Sequence, residues 1–285
     1  VNWNIGDIKV TLVREVLRAV NPVEFYPDSY DEATVSANRS WLEPHFIDEE
    51  GQFPLSIHAF VLESAGQTIM VDTCLGNRPI PGIEFLSNLG EGFLENLAEA
   101  GYSRDDIDTV VCTHLHFDHV GWNTILEGGE WVPTFPKARY LFGREEYDFW
   151  AGGAPGYAFT FGDTVKPVVD AGLADLVDSD HKITSEVALE PTPGHTPGHA
   201  SVLMRSGGEQ AVITGDMVHH PIQFAMPDWV MSADDNPEMA SQTRKAFTQR
   251  YGNSGVLVFG THFGGPSCGH LHSTPTGGWE FRAAD

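Results

Sequence analysis

Thr113-His114-Leu115-His116-Phe117-Asp118-His119-Val120-Gly121 follows directly on the apolar run Thr109-Val110-Val111-Cys112, whose β-branched residues predict a buried strand. Four side chains able to bind a metal fall within six residues, immediately past that strand's end. Neutral imidazoles with a carboxylate are the donors that Zn²⁺ and similar divalent ions take. While the chain stays extended, His114 and His116 point to the same side, because side chains alternate along a strand. Asp118 and His119 follow where the backbone turns, so this pair can face a second ion. A single buried histidine would carry no such implication; four donors crowded at a strand end do.

Three more strand ends repeat this chemistry farther along. Thr192-Pro193-Gly194-His195-Thr196-Pro197-Gly198-His199 is a stiff Pro/Gly turn that presents imidazoles after a strand expected over residues 186–190. Thr214-Gly215-Asp216 closes a strand over 211–214 with a carboxylate, and Gly260-Thr261-His262 closes one over 256–260 with an imidazole. Each is weak alone. Together, in this order, they supply the donors that the 114–119 segment lacks.

Between these turns, residues 57–63 and 68–72 predict a hairpin across Gly66-Gln67, and 138–142 and 201–205 predict further strands. Apolar spacing predicts a helix over 85–100 ending at Gly101, a short helix over 143–150, and a helix over 237–251 with Asn236 as its cap and Pro237 in its first turn. Strands in both halves with helices between them suggest an α/β protein with two sheets and outer helices, a layout that periodicity alone does not distinguish from other α/β layouts. No linker divides residues 1–285, so one domain is expected. Residues 22–56, interrupted by Pro22, Pro27, Pro44 and Pro54 and rich in aromatics, read as a long N-terminal loop or arm.

Composition narrows the function. The 285 residues are 41% hydrophobic and 20% charged, enough for a sizeable core. Sixteen Lys and Arg against 40 Asp and Glu give a net charge of −24, which repels phosphate backbones and anionic lipid heads, so nucleic-acid and membrane partners are not expected. No apolar run reaches the ~20 residues of a spanning helix. Three scattered cysteines, Cys74, Cys112 and Cys268, make neither a disulfide framework nor a CxxC zinc site. A cytoplasmic location is expected; because the sequence begins at Val1, a periplasmic or secreted one stays open.

Taken as a set, HxHxDH, His195, Asp216 and His262 resemble the metallo-β-lactamase superfamily, in its dinuclear hydrolase branch. The resemblance runs from about His58 to His262. It implies a four-layered αββα sandwich with two divalent ions at one edge, zinc by default, with Mn, Co or Fe able to fill the same cage. His114, His116 and His195 would hold the first ion; Asp118, His119 and His262 would hold the second, and Asp216 would bridge them. His199 corresponds to a structural partner, and Asp72 to a carboxylate that orients a ligating imidazole, although a strand-end cap is its alternative role. Class B β-lactamases of the common type place Arg and Cys near the second ion, where this chain has His119, so penicillin-type substrates are disfavoured.

Gly215-Asp216-Met217-Val218-His219-His220-Pro221-Ile222-Gln223-Phe224 and the PHFI…FPLSIHAFVLE segment are similar to methyl-parathion-hydrolase-like enzymes and N-acyl-homoserine lactonases. The resemblance implies that a hydroxide bridging the ions opens a small neutral lactone or related ester, with organophosphate triesterase or arylesterase activity on the side. Asp118 would pass a proton to the leaving alkoxide. His219 would touch the substrate or steady the leaving oxygen, with a supporting or surface role as the alternative, and His220 is expected on the surface. Trp122 and Phe224, each a few residues from a proposed ligand, are the aromatics expected to line the substrate pocket. A homodimer joined through the N-terminal arm is the oligomer expected. A glyoxalase-II-like thioesterase is the alternative enzyme, and a non-catalytic metal-binding or interaction module the alternative of another class.

Overall fold

Alternation along the strands sorts their apolar side chains onto two faces. Ile69, Val71 and Val111 share one cluster, whereas their neighbours Met70 and Val110 belong to another. In the computed structural model, which describes residues 1–284, those strands lie in a seven-stranded sheet. Its spatial order is Asn2–Ile5, Ile8–Val20, Phe53–Ser64, Gln67–Val71, Thr109–Val111, Arg139–Gly143 and Ala174–Val177. The first four pair antiparallel and the last four run parallel. A six-stranded sheet of Val187–Pro191, Ala200–Ser206, Glu209–Ile213, Leu257–Phe259, Cys268–Ser273 and Trp279–Ala283 faces it.

Three apolar layers hold the sandwich together. Ile69, Val71 and Leu62 of the first sheet meet Val202, Met204 and Ile213 of the second in the central layer. Helix Gly92–Glu99 buries Phe93 and Leu97 against the outer face of the first sheet. Helix Pro237–Tyr251 buries Phe247 and Tyr251 against the outer face of the second, where the arm adds Tyr26, Val35, Leu42 and Phe46. The result is the αββα arrangement. Among the described residues no helix is long and apolar enough to cross a membrane.

Several local expectations need correction. The 22–56 segment is not one loop: it holds helices Pro22–Phe25 and Glu32–Leu42, and its last residues open strand Phe53–Ser64. Asp31 caps the second helix by accepting from Thr34 N at 2.8 Å, worth about 1 kcal/mol, but only Val35 and Leu42 are buried, too sparse a stripe for apolar spacing to reveal. The 85–100 segment is helical only over Gly92–Glu99, because Gly90 turns with φ 79° behind a single 3₁₀ turn, Glu84–Leu86. The 13-residue strand Ile8–Val20, whose alternation breaks at Arg14 and Glu15, and the two strands after His262, each only five or six residues long, lie outside the expected set.

Candidate metal centre

The donor-bearing turns all leave the C-terminal ends of strands and meet at one edge between the sheets. Thr109–Val111 delivers 114–119, Val187–Pro191 delivers His195, Glu209–Ile213 delivers Asp216, and Leu257–Phe259 delivers His262. Ala200 N donates to Thr113 O at 3.0 Å, tying the two sheets together beside the site. Glu146, buried, ties two of the turns: it accepts from Leu115 N and Gly198 N, each at 3.1 Å. Gly215 is required where it stands, since its φ is 55° and a Cβ would come 2.5 Å from His199 Nε2.

The side chains fall into three overlapping groups, His114 with His116 and His195, Asp118 with His119, Asp216 and His262, and His195 with Asp216 and His219, with donor atoms inside each group within 4.8 Å of one another. Asp216 lies between the groups. Its Oδ2 is 3.2 Å from Nε2 of His119 and of His262, 3.5 Å from that of His195 and 3.8 Å from that of His114.

Hydrogen bonds on the outer side of four of the rings decide which nitrogen faces inward. Nδ1 of His119 donates to Asp72 Oδ2 at 2.9 Å, Nδ1 of His195 to Asp234 Oδ1 at 3.0 Å, and Nδ1 of His262 to Ser56 O at 2.9 Å. Thr113 Oγ1 donates to Asp72 and lies 3.1 Å from His114 Nδ1, which leaves His114 Nε2 buried and without a partner. Acceptor nitrogens therefore converge: His119 Nε2 is 3.3 Å from His262 Nε2, and His195 Nε2 is 3.0 Å from His116 Nδ1. Lone pairs that close repel unless a proton or cation lies between them. Two nitrogens on one tetrahedral zinc stand about 3.3 Å apart, so the donor set fits divalent ions.

Charge points the same way. Burial holds His114 and His116 well below the ordinary imidazole value, so both are neutral donors. Burial also opposes protonation of His119 and His262, but Asp216 and Asp118 outweigh it and hold both rings above that value. Both rings thus favour positive charge beside these two carboxylates.

Asp72 and His199 support the cluster from outside. Asp72 adopts φ 59° and accepts from Thr113 N at 2.7 Å, which aims its other oxygen at His119. His199 has no nitrogen to spare for a metal: Nδ1 donates to Thr192 O at 3.0 Å and Nε2 accepts from Asp216 N at 2.9 Å. His219 lies inside the site. Its Nε2 is 3.2 Å from Asp216 Oδ2, its Nδ1 is buried without a partner, and its ring lies parallel to His262 at 5.7 Å.

A cavity of about 370 Å³ reaches this cluster, with Asp118, His116, Asp216, His219 and His262 on its floor. Its walls are mainly apolar, from Phe25, Leu55, Ile57, Ile83, Phe85 and Met231. Trp122 and Phe224 are not among them, contrary to expectation. Trp122 is buried against Phe93 and donates to Glu15 Oε1 at 2.6 Å, and Phe224 is buried between Phe247 and Phe281. Proximity in sequence failed because each side chain points away from its neighbouring candidate ligand into an outer core. His220 is not at the surface: its ring stacks on Phe53 at 3.9 Å and its Nε2 donates to Phe46 O at 2.7 Å, clamping the arm to the sheet.

An αββα sandwich with imidazoles and carboxylates converging at its edge defines a protein of the metallo-β-lactamase type. The chain belongs to the Metallo-beta-lactamase superfamily, whose pattern matches residues 53–262. Among curated proteins, the N-acyl homoserine lactonase AiiA of Bacillus thuringiensis subsp. kurstaki is 25% identical over 167 residues, 58% of this chain and 60% of AiiA. The N-acyl homoserine lactonase AttM of Rhizobium radiobacter is 28% identical over 167 residues, 54% of this chain and 59% of AttM. The chain thus spans about three-fifths of the length of these curated relatives. Among solved structures, the hydrolase AbOPH of the beta lactamase superfamily is 26% identical with a TM-score of 0.82, covering 100% of this chain and 97% of its own. AidC, a dizinc quorum-quenching lactonase solved with a product bound, shares the fold at 22% identity and a TM-score of 0.77, with coverage of 100% and 97%.

Proposed function

We propose that this chain is a dinuclear metal-dependent hydrolase that opens a small neutral lactone or related ester, with N-acyl homoserine lactones as the leading candidates. His114, His116 and His195 would hold one divalent ion, Asp118, His119 and His262 the other, with Asp216 shared between them. The observation that carries this reading is an apolar cavity whose floor is the donor cluster itself. When bound, such ions acidify a shared water and polarise the ester carbonyl.

The remaining tasks fall to the chain. Asp118 is the most solvent-reachable carboxylate of the cluster, its side chain 16% exposed, and so is placed to carry a proton from the attacking water to the leaving alkoxide. His219, on the cavity floor with Nε2 3.2 Å from Asp216 Oδ2, can contact the polar group of the substrate through that Nε2–H edge. Phe25, Ile57 and Leu55 exclude water and receive an acyl chain. A glutathione thioester would need cations to grip its carboxylates, and Arg18 is the one Lys or Arg among the described residues of the wall.

The test is a substrate panel of acyl-homoserine lactones, aryl esters, paraoxon-type triesters and glutathione thioesters, run before and after chelation. Fastest turnover on a lactone, lost with the metal, is the expected result. Preference for the thioester, or activity that survives metal removal, overturns the proposal.

A further inference from the structure

We infer that Asp234 and Arg244 are positioning residues that fix which nitrogen of His195 faces the cluster; their consequence for metal binding rests on the reading of His195 as a ligand. Asp234 lies in the stretch between helices Ile222–Ala225 and Pro237–Tyr251. Its Oδ1 accepts from His195 Nδ1 at 3.0 Å, and its Oδ2 accepts from Met231 N at 3.2 Å and from Arg244 Nη1 at 3.4 Å. Both side chains are fully buried. The backbone reinforces the contact: Asp235 N donates to His195 O and Asn236 N to Gly194 O, each at 2.9 Å.

Arg244 reaches this loop from the following helix and holds it at both ends. Its Nε donates to Pro227 O at 2.8 Å, its Nη2 to Trp229 O at 3.1 Å, and its Nη1 to Met217 O, next to Asp216, at 3.4 Å as well as to Asp234. One guanidinium therefore joins the Asp216 turn, the loop carrying the cavity residue Met231, and the anchor of His195.

A buried ion pair gives little net stability over an apolar pair of the same volume, so stability alone does not explain it. Its chemical effect is specific. A carboxylate can only accept, so Nδ1 of His195 keeps its proton and Nε2 presents a lone pair 3.0 Å from His116 and 3.5 Å from Asp216. Asparagine cannot substitute, because it has one acceptor oxygen for two opposed donors, His195 and Arg244. Lysine cannot replace Arg244, because a single ammonium cannot span carbonyls on both sides of the loop.

The test uses the full chain carrying Asp234→Asn and, separately, Arg244→Lys. Long-range ¹H–¹⁵N spectra of the zinc-free protein read the His195 tautomer, and zinc retained per chain is measured in competition with a chelator. The wild type should show Nδ1 protonated. Asp234→Asn should lose that preference and release one zinc at a roughly 10- to 100-fold lower chelator concentration, with Arg244→Lys shifted less in the same direction. A wild-type tautomer and wild-type zinc retention in either variant would overturn the inference. Should the wild type take up no zinc while Asp234→Asn still switches the tautomer, the metal reading fails and the positioning role stands.

Discussion

The floor and the walls of the cavity are fixed by different forces. On the floor, three of the rings are held from behind by a directional polar contact: Asp72 holds His119, Asp234 holds His195, and the Ser56 carbonyl holds His262. On the walls, Phe25 and Met231 are half-buried and Phe85 is 63% exposed, held by van der Waals contact on an arm and on loops. Directional bonds place donors to within the tolerance that metal chemistry needs, whereas apolar walls need only volume. The floor should therefore be intolerant of change, and the walls should adjust.

The largest effect is expected at the centre of the floor. Asp216→Asn should lower lactone hydrolysis by about a thousandfold with the circular dichroism spectrum unchanged; retention of most activity would contradict the shared-ligand role. His219→Ala should reduce kcat by roughly a hundredfold with zinc content at the wild-type level, and an unchanged kcat would remove its role.

Acidity should separate the two states of the floor. His119 and His262 have raised values in the folded, metal-free chain, because Asp216 outweighs burial. The stability they contribute is complete below the ordinary histidine value and is lost as pH rises through the raised values. Urea unfolding of the zinc-free chain should accordingly show stability falling with rising pH in that window. Zinc, competing with those same protons, should be retained more tightly at pH 8 than at pH 6, by about tenfold or more. Equal retention at both would show that the rings carry no protons to displace.

The walls should respond mildly. Phe25→Ala should raise KM for a long-chain lactone about fivefold, roughly 1 kcal/mol of lost apolar contact, with kcat little changed. Phe224→Leu should cost about 1.5 kcal/mol of stability and leave KM alone, because its ring lies in the outer core. A KM effect at Phe224 equal to that at Phe25 would erase the distinction between wall and core.

The same contrast explains what the sequence reveals. His114, His116, Asp118 and His119 are legible because polar donors at a strand end have few other reasons to cluster, and the Pro/Gly turn around His195 marks itself. Strands recurring in both halves point to two sheets, while the αββα layering itself comes from the resemblance carried by the motif set. Asp234 and Arg244 leave no such mark: an aspartate in a loop and an arginine on a helix read as solvated charges until the fold buries them against each other. Trp122 and Phe224 mislead for the converse reason, since an aromatic near a ligand in sequence can turn either way. Ile8–Val20 escapes because Arg14 and Glu15 interrupt its alternation at the bulge between Arg14 and Val16.

The central claim is that two ions, held by one converging set of imidazoles and carboxylates, make this chain a hydrolase. Titrating the zinc-free protein with zinc while following lactone ring opening tests it most directly. Activity should be absent at the start and saturate at two equivalents per chain. Full activity without metal, or saturation at one equivalent, would contradict the account.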